Sequence, residues 1–171
     1  MLGKSAKLTL ATQLLYSVGM TIENLVTRNV ATVDSSTTVV DVAKEMRNRH
    51  VGALVVTEAH GAALKPVGIV TDRDLVVSIL ALDLAPGRLT AGDVMSAHPF
   101  TIRLEDDADA AIRRMRGLGV RRAPVVDSAG HLRGLFSMDD YLEHLANGLR
   151  EVSILIAQER REEEKSRRAL P

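Results

Sequence analysis

The chain has no cysteine and no tryptophan, only two tyrosines and two phenylalanines, and a formal net charge of zero. The missing cysteine removes disulfides, thiolate metal sites and cysteine nucleophiles together. Tyr16, Phe100, Phe136 and Tyr141 are too few to build the stacking platforms of single-stranded nucleic-acid binders. Any bound base must rest on aliphatic side chains and backbone. Twenty-two basic residues balance 22 acidic ones, so no global field draws in nucleic acid or an anionic membrane, and neither is an expected partner. The longest apolar run, near residues 51–56, has strand length and falls far short of the roughly 20 residues that span a bilayer.

What is present is a chain of 171 residues, 46% of them hydrophobic, enough for a sizeable core in one domain or two small ones. Residues 1–19 are basic, and Thr9, Thr12 and Gln13 interrupt what would be the apolar part of an export signal. They read as an extension of a cytoplasmic protein, with Leu8, Ala11, Leu15 and Val18 at the spacing of a short amphipathic helix. Histidines 50, 60, 98, 131 and 144 show no metal-ligand spacing, and no HExxH, GxxxxGK[ST] or GxSxG motif occurs. No metal site and no catalytic residue is expected.

The sequence repeats. A shift of 69 lays "TIENLVTRNVATV" from Thr21 over "TAGDVMSAHPFTI" from Thr90 without a gap. The same shift carries Met46-Arg47 onto Met115-Arg116 and Val51 onto Val120. Val39, Val42, Ala43 and Met46 mark one helix face, and Ala108, Ala111, Ile112 and Met115 take the same phases. The apolar runs "GALVV" and "RAPVV" follow as strands. Only afterwards does the shift fall to 66, which aligns Gly68 with Gly134 and leaves "TEAHGAALKP" three residues longer than its counterpart, as a surface turn permits.

Each copy therefore reads strand, helix, strand, turn, strand, helix, too small to bury its own sheet well. Two copies packed face to face solve this, giving an α/β module with a pseudo-twofold axis and two equivalent clefts. The divisions are an extension at 1–19, a first repeat at 20–81, a linker at 82–89, a second repeat at 90–146 and a helical tail at 147–171.

The stretches "GIVTDRD" and "GLFSMDD" close the two copies. Thr71 with Asp74, and Ser137 with Asp140, stand as N-cap and N3 of a following helix, the spacing of a capping box. The same groups suit a ligand. Helix-start N–H groups and a hydroxyl can hold phosphate, and a carboxylate can accept from both hydroxyls of a ribose. Arg121 and Arg122, just before "APVV", can point to opposite sides, so that one meets phosphate, or they can form an ordinary solvated pair. The first copy has Gly52 and Ala53 at those places, where the backbone can approach a base closely. Arg73 and Asp72 either face phosphate or pair on the helix surface, and Asp106, Asp107 and Asp109 read as first-turn carboxylates that favour the helix dipole.

In order, spacing and duplication these motifs, with "VGALVV" and "VRRAPVVD", resemble a tandem of CBS (cystathionine β-synthase) domains of the stand-alone bacterial kind, over about residues 20–145. The resemblance implies repeats of the form β-α-β-β-α followed by a long C-terminal helix. It also implies a regulatory, non-catalytic module that binds AMP, ADP or ATP and needs no obligatory cofactor. Asp74 and Asp140 would hold ribose hydroxyls, with Thr71, Ser137 and one of the arginines nearer phosphate. S-adenosylmethionine or NAD(H) fits the same residues, and an assembly module with vestigial clefts is the alternative of a different class.

The tail adds an expectation of assembly. Leu142, Leu145, Leu149, Val152 and Ile156 follow spacings of 3, 4, 3 and 4 before "ERREEEKSRR" turns polar. A helix covering its own core would show the same stripe. A homodimer is expected by resemblance, since CBS pairs typically associate through their helices.

Overall fold

The computed structural model describes residues 20–168, so the expected helix over Leu8 to Val18 lies outside the described residues. In chain order the elements are β1 (Thr32–Asp34), α1 (Val39–Arg49), β2 (Ala53–His60), β3 (Ala63–Thr71), α2 (Asp72–Ser78), α3 (Ala91–Val94), β4 (Ser96–Ala97), β5 (Ile102–Arg103), α4 (Ala108–Leu118), β6 (Arg122–Val126), β7 (Leu132–Ser137) and α5 (Met138–Arg168). Short 3-10 turns at Leu80–Leu82 and Pro86–Arg88 make the crossing between the copies.

The duplicated helices α1 and α4 begin and end by the same devices. The side chain of Thr38 accepts the Asp41 amide, and that of Asp107 accepts the Ala110 amide, satisfying a first-turn donor in each. At the other end His50 and Gly119 turn the chain with φ of 54° and 69°, a left-handed stop that costs glycine little. The expected acidic first turn of α4 is thereby corrected. Asp107 is the cap, Asp109 lies in the first turn, and Asp106 precedes the helix and accepts the Arg103 amide at 2.9 Å.

Val39, Val42 and Met46 are buried on α1, and Ala108, Ala111 and Met115 on α4, so the two apolar faces have equal phase. Ala43 departs from the expected face and is exposed. Sheet order is β1-β2-β3-β4 in one layer and β5-β6-β7 in the other, each opening with a parallel pair and closing antiparallel. The three extra residues of the first copy lengthen the strands of the hairpin and not its loop, which covers only 61–62 where the second copy has 127–131. There β2 and β3 stay paired out to His60 and Ala63, and Gly61 takes φ 64° at the tip.

A feature that the sequence repeat does not reveal organises the module. The lead-in segment of each copy packs on the other copy. Ile22 and Leu25 sit in the core made by Ile102, Met115, Val125 and Phe136, and Ala91 sits with Val42, Leu54, Val56 and Val70. Backbone pairing repeats the exchange. Thr27 bonds Leu135 in both directions at 3.0 and 2.9 Å, and β4 pairs Ser96 with Ile69 of β3. Thr21 bridges Asp107 while Thr38 bridges Thr90. The exchange answers the size problem, because neither sheet is covered without a segment from its partner copy.

The turn after β6 is held by one carboxylate. Asp127 accepts the Ala129 and His131 amides at 2.9 Å each and Arg133 Nε and Nη2 at 3.0 and 2.8 Å. The His131 amide, opposed by desolvation and helped by Arg133, holds the carboxyl well below the usual range, at about 2. Its stabilising effect is complete above the ordinary carboxylate pKa near 4 and is lost as pH falls through about 2. We therefore expect Asp127→Asn to flatten the acid limb of stability between those values, read as urea midpoints against pH. A parent and variant with parallel acid limbs would contradict this account of the turn.

Candidate nucleotide-binding clefts

The strand ends bring the candidate residues together in two sets. In the first copy β2 and β3 pair Ala53 with Thr71, and the Asp72 amide bonds Gly52 O at 3.1 Å. In the second, Arg122 pairs with Ser137, and the Met138 amide bonds Arg121 O at 2.9 Å. The start of one strand and the start of the next helix thus meet at the same corner in both copies.

At the first corner the capping box is complete. Thr71 Oγ1 accepts the Asp74 amide at 3.2 Å, while the Thr71 amide and hydroxyl both donate to Asp74 Oδ2 at 2.8 Å. Arg73 extends from the exposed first turn of α2 and has no ion pair among the described residues. Asp72 accepts its neighbour's amide, Arg73 N–H, at 2.8 Å and turns toward Gly52, where an added Cβ would stand 3.1 Å from Asp72 Oδ2. Gly52 therefore leaves room that Asp72 takes up. Ala53 is buried at 7% exposure, so its side chain belongs to the core.

The second corner departs from the expected box. Ser137 is buried and accepts from the Asp139 amide at 3.1 Å instead of the Asp140 amide. Asp140 Oδ2 accepts from Thr27 Oγ1 at 2.9 Å. Thr27 belongs to the exchanged segment, so the hydroxyl that engages Asp140 comes from the other copy and its place in space could not be read from the local motif. Arg122 Nη2 meets Asp139 Oδ2 at 3.2 Å, whereas Arg121 is exposed with no side-chain partner among the described residues.

Thr27 was not among the residues singled out from sequence. A signal was present, because the shift of 69 places it over Ser96, a second hydroxyl. Each corner thus brings together a hydroxyl and a carboxylate at a helix start, a strand end and a lead-in segment from the opposite copy. Such a corner offers carboxylate acceptors for sugar hydroxyls and, in the exposed Arg73 and Arg121, guanidinium donors for an anion, while the first-turn amides of Asp72, Arg73, Asp74, Met138 and Asp139 are already bonded within the protein. No group of three or more His, Asp or Glu side chains suited to a metal ion occurs among the described residues, and no described helix is long and apolar enough to cross a membrane.

The family model for the CBS domain matches the chain twice, at residues 22–81 and 91–147. The chain belongs to the CBS domain family. It is a CBS pair, and both matched spans include the lead-in segments that exchange between the copies. It is similar to an uncharacterised protein of Methanopyrus kandleri, 33% identical over 68% of this chain but 58% of that relative, so this CBS pair spans little more than half of the relative's length. Among solved structures it is similar to a CBS domain protein from Pyrobaculum aerophilum complexed with AMP. That match has a TM-score of 0.64 and 26% identity, and covers 71% of this chain and 89% of the other. A CBS domain pair in complex with 5′-methylthioadenosine and S-adenosyl-L-methionine matches at a TM-score of 0.64 and 22% identity over 75% of this chain and 97% of the other, which establishes the shared fold.

Proposed function

We propose that this CBS pair is a cytoplasmic, non-catalytic regulatory module that binds an adenosine nucleotide, AMP, ADP or ATP, in its clefts and answers by altering dimer or partner contacts. The observation that carries the reading is the second cleft. There Asp140 at the start of α5 already accepts a hydrogen bond from a hydroxyl, that of Thr27, the same kind of bond that a ribose hydroxyl would donate to it. Thr71 and Asp74 provide the equivalent set in the first cleft. The AMP complex of the similar Pyrobaculum aerophilum protein supports the choice of ligand class. Carboxylates at the same helix position in both copies suit two binding sites better than a general acid and base with separate tasks.

A bound nucleotide shifts an equilibrium only through its differential affinity for two arrangements. Helix α5 is the element in position to report it, because Asp140 lies in its first turn and its exposed apolar residues lie further along the same helix. We expect the functional unit to be a homodimer built on that helix.

The test is thermal stability with AMP, ADP, ATP, NADH and S-adenosylmethionine, for the parent, Asp74→Ala and Asp140→Ala. A ligand at a hundred times its Kd stabilises the parent by roughly 2.7 kcal/mol. Losing charge-assisted hydrogen bonds of about 1.5–3 kcal/mol from Asp140→Ala weakens the second cleft at least about tenfold. Stabilisation by S-adenosylmethionine alone would transfer the site to another adenosyl ligand. A well-folded parent that no member of the panel shifts would turn the reading to an assembly module.

A further inference from the structure

Among the positions at which the two clefts differ, one pair faces across from strand to helix. Where the second cleft has Arg122 on the strand and Asp139 on the helix, the first has Ala53 and Arg73. The strand-side charge and the helix-side charge have therefore both changed. In the second cleft the result is an ion pair of 3.2 Å between an arginine side chain 25% exposed and a carboxylate 58% exposed. Ser137, paired with Arg122 across the sheet, accepts the Asp139 amide and fixes the turn from β7 into α5, while the Met138 amide bonds Arg121 O just before β6.

We propose that Asp139 is a built-in competitor for the anionic group of the ligand in the second cleft. It holds Arg122, the guanidinium that a phosphate entering this corner would need, and so sets the cleft's preference among ligands of different charge. The inference deepens the adenosine-nucleotide reading and rests on it for the location of the ligand. A phosphate can reach Arg122 only by taking the fork from Asp139 or by sharing it at the expense of like-charge repulsion. A neutral adenosine or a cationic adenosyl compound meets no such opposition. The first cleft has no counterpart, since Arg73 is without a carboxylate partner among the described residues. The two clefts accordingly rank the same ligands in different order.

The size of the effect follows from the exposure of the pair. A partly exposed ion pair holds its partner by no more than about a fivefold factor, and the removed repulsion adds to this for a ligand of higher charge. Exchange of the carboxylate for an amide at this exposed position leaves the core untouched.

The experiment is calorimetric titration of the full chain carrying Asp74→Ala, so that the second cleft dominates, with adenosine, AMP, ATP and inorganic pyrophosphate as probes. Asp139→Asn is expected to tighten AMP about fivefold and ATP by more, with adenosine unchanged. The gain should vanish when Arg122→Gln is added, as a double-mutant cycle requires for direct coupling. Equal changes for adenosine and AMP, a gain that survives without Arg122, or no gain would each overturn the proposal. If adenosine compounds fail to bind while pyrophosphate gains affinity on Asp139→Asn and loses it with Arg122→Gln, the competitor stands and the adenosine reading falls. Failure of every probe with every variant overturns both.

Discussion

Gly134→Val is expected to cost roughly 3–6 kcal/mol of stability and to release the first lead-in segment from the second copy. A Cβ built at Gly134 would stand 2.1 Å from Val26 Cγ2 and 3.0 Å from Thr27 O. The obstacle is stiff, because Val26 is β-branched and the Thr27 carbonyl is part of the bridge to Leu135. Neither can retreat without moving residues 20–28 as a body. Ile22 at 0% exposure and Leu25 at 8% would then leave the core, at about 1.5–3 kcal/mol each. Gly68 is the symmetry mate, and there a Cβ would meet Met95 Sδ at 2.2 Å and Met95 Cβ at 3.0 Å. A flexible thioether moves more readily, so Gly68→Val should cost less, about 1–3 kcal/mol. Urea denaturation of both variants decides the matter. A Gly134→Val midpoint at or above that of Gly68→Val would contradict the exchange as the seat of the module's cooperativity.

Gly134→Val should carry a second effect that separates it from simple core damage. Thr27 moves with the expelled segment, and its hydrogen bond to Asp140 goes with it. The second cleft would lose its opposing wall. Packing and the proposed ligand site are thus one structure here, joined by a segment that belongs in sequence to the opposite repeat.

That segment also marks where sequence reasoning stops. The shift of 69 places α1 on α4 end for end, Val39 to Ala108 and Arg49 to Leu118, because helix phase is a local property of apolar spacing. The corner residues are local too, since Thr71 and Asp74 are three apart and the capping box needs nothing else. Partner choice between two similar sheets is not local. The apolar pair Ile22 and Leu25 suits either core, just as Ala91 and Val94 do, and spacing cannot say which sheet each one joins. The missed role of Ser137 has the same origin. Asp140 leaves the box because Thr27, more than a hundred residues away in sequence, supplies a hydroxyl to it. Arg122 and Asp139 likewise form a pair across a strand and a helix that only the folded corner brings within 3.2 Å. Ala43 fails for a different reason. Its phase is right for the buried face, yet it lies at the edge of that face, beside an open apolar groove of about 390 Å³ between α1 and α2.

Replacing Leu149 and Val152 together by glutamate is expected to weaken self-association by about two to four orders of magnitude while leaving the fold intact. Both lie on the outer part of α5, 72% and 48% exposed in one chain, as do Leu142, Leu145 and Ile156 at 59%, 41% and 46%. The stripe therefore does not cover its own module's core, one of the two readings that its spacing allowed. Burying two such side chains against a second copy contributes about 1.5–3 kcal/mol each, which is the stated range in Kd. Because the substituted residues touch solvent, the monomer should keep its melting behaviour and its nucleotide shift. Sedimentation velocity from 1 to roughly 100 μM reads the result directly, over the range where micromolar dimers dissociate. A parent that stays monomeric throughout would remove the dimer. A double variant that stays dimeric would move the contact to the groove lined by Val40, Ala43, Leu75 and Leu80, and α5 would then be free to take its signal from the cleft to another partner.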